Sequence, residues 1–144
     1  MPAVLDEEIK RTYEAIRAGD LTWAVFGYGG PGQLAVDHAG VDSDYDAFCG
    51  RLATDDAAAR VVSNSFEVQV RFAYRRFEAE ENGSERAKYA FFVWSPAYTE
   101  FREKNKLLRE RMGLQMVVQH YDAEVRASQR DDLAHAKVVA QLGN

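Results

Sequence analysis

The chain has 144 residues, 47% hydrophobic and 28% charged, with a formal net charge of −5. This composition belongs to a folded globular protein of about one domain rather than a disordered chain, and the acidity argues against general nucleic-acid binding. The only cysteine, Cys49, excludes an internal disulfide, and no apolar run approaches the ~18 residues that a membrane-spanning helix needs.

The N-terminus, Met-Pro-Ala-Val-Leu-Asp-Glu-Glu, has neither the basic nor the apolar region of a signal peptide, so a cytoplasmic location is expected. Prolines stand only at 2, 31 and 96, each near an expected element boundary, and there is no repeat, linker or low-complexity segment. One domain over 1–144 is therefore expected.

Residues 4–18 read as a helix, because Leu5, Ile9, Tyr13 and Ile16 recur at spacings of three and four. Asp6, Glu7 and Glu8 suit its positive N-terminal end, and Gly19 is a natural stop. Residues 21–28 read as a strand apolar on both faces, hence central. Gly29-Gly30-Pro31-Gly32 signals a turn into a second strand over 33–38. A short helix is expected at 43–52, with Ser43 and Asp46 as a capping box and Tyr45, Phe48, Cys49 and Leu52 inward. Residues 53–65 fit either a helical turn or a strand entry.

Over 66–77 the alternation is clean. Phe66, Val68, Val70, Phe72 and Tyr74 point one way; Glu67, Gln69, Arg71 and Arg75 point to a wetter face. The tip at 80–84 leads into a strand over 87–94 that is apolar on both faces, with Lys88 near its start. After Pro96 the period becomes helical, with apolar residues at 107, 108, 112, 114, 117, 118 and 121. Gly113 interrupts that helix, which either weakens it or marks a close approach. A short strand at 123–127 follows, with Val125 inward. A last helix then runs to Leu142, opened by Ser128 and Asp131, with Leu133, Ala136, Val138, Val139 and Leu142 as its apolar set. The order is α-β-β-α-β-β-α-β-α. Two hairpins and a crossover into a fifth strand make a mixed, five-stranded sheet flanked by helices, an α/β fold of the α+β type.

One segment departs from the overall charge. Between residues 102 and 111, Arg102, Lys104, Lys106, Arg109 and Arg111 face only Glu103 and Glu110, a net of +3 that leaves −8 for the rest of the chain. Such a patch on an acidic protein suits a specific acidic partner surface. Read alone, it is more readily a solvated face than a contact.

The element order, with Trp94-Ser95-Pro96 followed by Arg102 and Lys104, resembles the actin-depolymerising-factor homology (ADF/cofilin) family. Within it the chain is most similar to coactosins, through Thr54-Asp55-Asp56, Val70-Arg71-Phe72, Lys88-Tyr89-Ala90 and Val117-Val118-Gln119. The resemblance implies a non-enzymatic domain without cofactors that binds actin, preferably filamentous, in the cytoplasm and cytoskeleton. It also implies that the helix after the fourth strand and its leading basic residues meet actin. Carried over, these are Arg102, Lys104 and Arg111, with Lys106 and Arg109 beside them. Lys88 corresponds to a lysine that coactosins use at the start of the fourth strand, and Arg86 is adjacent.

Three departures from the family stand out. No serine occurs before Ser43, so the N-terminal phosphorylation control of cofilins is not expected. The hairpin over 73–86 is longer than in typical coactosins and acidic at 78–85. The chain ends at Asn144, without the basic tail of animal coactosins. Cofilin-like monomer binding or severing is one alternative. A self-associating scaffold domain that does not bind actin is another.

No residue constellation points to catalysis. His38, His120 and His135 lack metal-ligand spacing, and none is near Cys49 in sequence, which is expected to be a small core residue. Gly29–Gly32 is not followed by the Lys-Ser/Thr of a phosphate loop. Asp42, Asp44 and Asp46 lack the glycine and glutamate of a calcium loop.

Overall fold

A computed structural model describes residues 3–30, 33–41, 44–52, 71–81, 84–94, 112–128 and 130–142. The elements are α1 (Ala3–Ala18), β1 (Trp23–Gly30), β2 (Gln33–Gly40), α2 (Tyr45–Leu52), β3 (Arg71–Glu81), β4 (Ser84–Trp94), β5 (Ala123–Ala127), a 3-10 turn (Arg130–Leu133) and α3 (His135–Gln141). Residues 112–115 are also helical. The strands form one five-stranded sheet in the order β2-β1-β3-β4-β5. All pairings are antiparallel except β4–β5, which the crossover makes parallel. This is the mixed sheet expected from the element order.

α1 ends as its sequence dictates. Gly19 has φ +90°, a left-handed conformation that costs glycine little. The Asp20 N–H then reaches back to the Ala15 carbonyl at 2.8 Å and the Gly19 N–H to that of Ile16 at 3.2 Å, closing a Schellman motif. α2 is capped by Asp44, whose Oδ1 accepts the Ala47 N–H at 3.2 Å. The proposed cap Ser43 lies outside the described residues, as does the ambiguous segment 53–65.

Because strand side chains alternate, the sheet has two cores. Ile9 and Ile16 of α1 pack on Ala24, Phe26, Phe72, Tyr74, Tyr89, Phe91 and Val93, together with Leu114 and Val118. The opposite face joins Trp23, Val25, Ala73, Phe77, Ala90, Phe92, Trp94 and Val125 to Phe48, Cys49 and Leu52 of α2 and to Leu133, Val138 and Leu142. Cys49 is a buried core residue, as expected. Gly40 lets β2 pack against the Trp23 indole: a Cβ there would sit 2.8 Å from Trp23 Cζ2.

Four expectations are corrected. First, Arg75 does not point to a wet face. It is only 4% exposed, because β3 is central and helices cover both of its faces. Second, the β3–β4 ladder runs to Glu81↔Ser84, which leaves only Asn82-Gly83 between the strands, a dipeptide favoured in two-residue hairpin loops. Third, the helix read through Tyr121 ends, among the described residues, at 115. Beyond it the chain is held by other bonds: the Val118 N–H to the Leu114 carbonyl at 2.8 Å, and Tyr13 Oη accepting the His120 N–H at 3.0 Å. Fourth, the last helix is broken at Ala134 into the 3-10 turn and α3. Its start is fixed by Asp132 rather than Asp131, since Asp132 Oδ2 accepts the Ser128 N–H at 2.9 Å. Leu133, Val138 and Leu142 face the core as read, while Ala136 is exposed.

Candidate functional site

Lys88 is the fifth residue of β4, not its first. It pairs with Phe77 and shares strand parity with Ala90, Phe92 and Trp94, so it stands on the face covered by α2 and α3. Its stem is partly buried and Nζ donates to the Leu142 carbonyl at 3.0 Å. Carbonyls just past a helix end carry partial negative charge, so the ammonium caps the C-terminal end of α3. Lysine satisfies this position because a long apolar stem can cross the core edge and deliver its charge to that carbonyl.

The segment holding Arg102, Lys104, Lys106, Arg109 and Arg111 lies outside the described residues, and so does the side chain of Arg86. The backbone of Arg86 pairs with Ala79 in the β3–β4 ladder. The helical turn at 112–115, into which the basic segment leads, packs through Leu114 on the α1 face. That face is opposite Lys88. The structure therefore does not gather Lys88 and the helical turn at 112–115 into one patch; the sheet lies between them.

The loop leaving that helical turn is held by tyrosines. Tyr74 Oη donates to the His120 carbonyl at 2.6 Å, while Tyr13 bonds the His120 N–H. Tyr74 stacks on Tyr89 with ring centroids 5.6 Å apart. The Tyr89 N–H donates to Asp122 Oδ2 at 2.8 Å, and the Asp122 N–H to the Tyr89 carbonyl at 2.7 Å. Burial pushes the Tyr74 hydroxyl well above the usual tyrosine range. It therefore stays protonated and donating at any physiological pH.

On the other face, the Arg75 guanidinium carbon lies 4.8 Å from the Phe77 ring centroid, 5.3 Å from Tyr45 and 5.5 Å from Phe48. Nη1 donates to the Arg76 carbonyl at 2.9 Å. Aromatic faces attract a cation when water is excluded, so a buried charge is accommodated here. Burial, with the neighbouring Cys49 thiol a lesser cause, also raises the Tyr45 hydroxyl. Tyr45 donates to the Leu133 carbonyl at 2.6 Å. A cleft of about 490 Å³ beside it is lined by residues including Cys49, Asp131 and His135. The fold thus brings Cys49 and His135 to one cleft, which sequence separation did not foretell. Among the described residues, no group of three or more His, Cys, Asp or Glu side chains is arranged to hold a metal.

Sequence reading passed over Met116 and counted Met112 in the apolar set of the helix. They are 76% and 57% exposed, on the helix end that follows the basic segment. The available signal was their spacing of four directly after Arg111.

The mixed five-stranded sheet covered by helices on both faces matches the fold of solved ADF/cofilin-type domains. The crystal structure of human coactosin-like protein superposes with a TM-score of 0.75 at 21% identity, covering 95% of this chain and 94% of that one. Cofilin from Streptomyces griseoflavus gives 0.75 at 20% identity, covering 94% and 92%. Cofilin from Yarrowia lipolytica is 24% identical over 112 residues, which span 76% of this chain and 65% of that protein. The model of the cofilin/tropomyosin-type actin-binding proteins matches residues 3–143, and the chain belongs to that family. Among the described residues no helix is long and apolar enough to cross a membrane.

Proposed function

We propose that this chain acts as a single ADF-homology domain that binds the sides of actin filaments in the coactosin manner and competes there with cofilin-type factors. The observation that carries this reading is the family match over 3–143, together with the +3 segment at 102–111 on a −5 chain. Arg102, Lys104, Lys106, Arg109 and Arg111 form the leading contact, and such charges steer and orient an acidic partner more than they add affinity. Lys88, and Arg86 beside it, form a second contact. Lys88 and the helix end at 112–115 lie on opposite faces of the sheet. Contacts on opposite faces suit a partner that presents more than one subunit, and this supports filament over monomer. The expected location is the cytoplasm and its cytoskeleton.

Co-sedimentation with actin filaments over a salt series tests the reading. The protein is expected in the pellet, and more weakly so as salt rises. If it stays in the supernatant at every salt concentration while a cofilin control pellets, the reading fails. Lys104→Glu with Arg109→Glu is expected to lower binding and flatten the salt dependence without changing thermal stability.

Cofilin-like monomer binding and severing is the second reading. The fold does not separate it from the first, since a cofilin and a coactosin-like protein superpose equally, each with a TM-score of 0.75. A filament-disassembly assay separates the two: under the first reading filaments keep their length, and under the second they shorten.

A further inference from the structure

Two clefts meet on the face covered by α2 and α3. The larger, of about 490 Å³, is the one beside Cys49 and His135. The smaller, of about 230 Å³, is lined by Thr22 and by Arg75, Arg76, Phe77 and Glu78 of β3. Tyr45 and His135 line both, with ring centroids 5.0 Å apart, so the clefts adjoin at these rings. Small-molecule sites span ~300–1,000 Å³, so the space suits such a ligand. The smaller cleft is rich in donors. Arg76 Nε is buried and finds no acceptor among the described residues. Glu78 engages only Nη2, at 3.2 Å, and its side chain is 66% exposed, at the rim. A buried N–H without an acceptor costs about 1–3 kcal/mol, so one in a cleft wall points to an acceptor supplied from outside. Arg75 adds its charge from behind, with Nη1 on the Arg76 carbonyl at 2.9 Å. Two arginines against one glutamate leave this wall at +1 on a chain of net −5. The larger cleft is the reverse: Asp46 and Asp131 stand in its wall.

We propose that the adjoining clefts bind a small molecule that carries an oxyanion, a carboxylate or a phosphate, at one end and an amino or hydroxyl group at the other. The oxyanion accepts from Arg76 Nε in the smaller cleft, within the field of Arg75. A guanidinium suits this role because its planar fork of N–H groups matches the oxygens of either anion. The body of the ligand crosses Tyr45 and His135, whose rings give it apolar surface. Its other end donates to Asp46 or Asp131. Those carboxylates repel a second anion, so they fix which way round the ligand lies. The site is separate from the actin reading: its Tyr45, Phe77 and Leu133 belong to the sheet face opposite the helical turn at 112–115.

The test titrates the whole chain, without actin, with phosphate, acetate, aminoethyl phosphate and γ-aminobutyrate at constant ionic strength, with chloride as the control. Binding is read by calorimetry and by the nuclear magnetic resonance signal of the Arg76 Nε–H. A saturable shift is expected with the phosphates or the carboxylates and none with chloride; the two arms tell which oxyanion the cleft prefers. The amino-bearing form should bind roughly threefold to tenfold more tightly than its bare anion. Arg76→Gln should weaken binding about tenfold. Glu78→Gln removes a negative charge from the rim and should strengthen it about threefold. Asp46→Asn should remove the advantage of the amino group and leave the bare anions unaffected. The inference fails if chloride shifts the signal as the oxyanions do, or if Arg76→Gln binds within about twofold of wild type. Should Arg76→Gln lower the melting midpoint, Glu78→Gln decides, and unchanged or weaker binding there overturns the site. Equal binding of bare and amino-bearing anions overturns the ligand class.

Discussion

The two faces of the sheet use their polar groups for different ends. On the face covered by α2 and α3, Arg75 lies among three aromatic rings, Tyr45 bonds the Leu133 carbonyl and Lys88 bonds that of Leu142. There the Arg75 charge serves the fold, while Lys88 ties down the end of α3. On the α1 face, Tyr13, Tyr74 and Tyr89 grip the loop over 120–122, and that loop supports a helix end exposing Met112 and Met116. The comparison teaches that a basic residue on an acidic domain of this family is not by that fact a contact. Arg75, almost wholly buried among aromatic rings, cannot reach a partner.

The strongest way to break this contrast is Arg75→Ala. It removes a buried cation together with its packing, and we expect a loss of about 3 kcal/mol, read as a lower urea midpoint at unchanged slope. A loss below about 1 kcal/mol would mean that the aromatic cage contributes little.

Tyr74→Phe probes the other face. Losing the bond to His120 leaves a carbonyl without that donor and should cost about 1 kcal/mol. It also has a pH signature. Burial raises the hydroxyls of both Tyr45 and Tyr74 in the folded state, so the unfolded chain releases those protons first as pH rises. Stability is then complete below the ordinary tyrosine value of about 10 and falls above it. Urea unfolding at successive alkaline pH values should show this decline, with a shallower slope in Tyr74→Phe.

Lys88→Ala sharpens the line between fold and contact. Loss of the α3 cap predicts a cost of roughly 0.5–1 kcal/mol by thermal melting. Weaker actin binding at unchanged stability would instead make Lys88 chiefly a contact. The smallest effect is expected at Gly113→Ala, where the added methyl meets open space and helix propensity should raise stability by up to about 1 kcal/mol. Destabilisation there would show that another part of the chain approaches the turn.

Much of the fold was legible in the sequence. Periodicity placed α1 by Ile9 and Ile16, α2 by Phe48 and Leu52, and β5 at 123–127, and the connections implied a mixed sheet. The hairpin loop was read too long, because the apolar pattern fades before the ladder ends at Glu81↔Ser84. Met112 was counted in the apolar set of a helix running to Tyr121, but period 3.6 reports a face only while the helix lasts, and this one gives way to a turn at 116. For the candidate site, Arg102, Lys104, Lys106, Arg109 and Arg111 were legible as a charge anomaly. The separation of Lys88 from the helix end at 112–115 was not, because it depends on which helix covers which face.

By itself, then, the sequence determined the elements, their order and the +3 segment on a −5 chain, because local periodicity and formal charge are properties of the chain alone. Tertiary structure decided that Arg75 is buried, that Lys88 caps α3 and that Met112 and Met116 face outward. Alternation along a strand assigns side chains to one of two faces but does not say what lies on either. Only the packing of α1, α2 and α3 on the sheet turns a polar position into a buried one or leaves an apolar one bare.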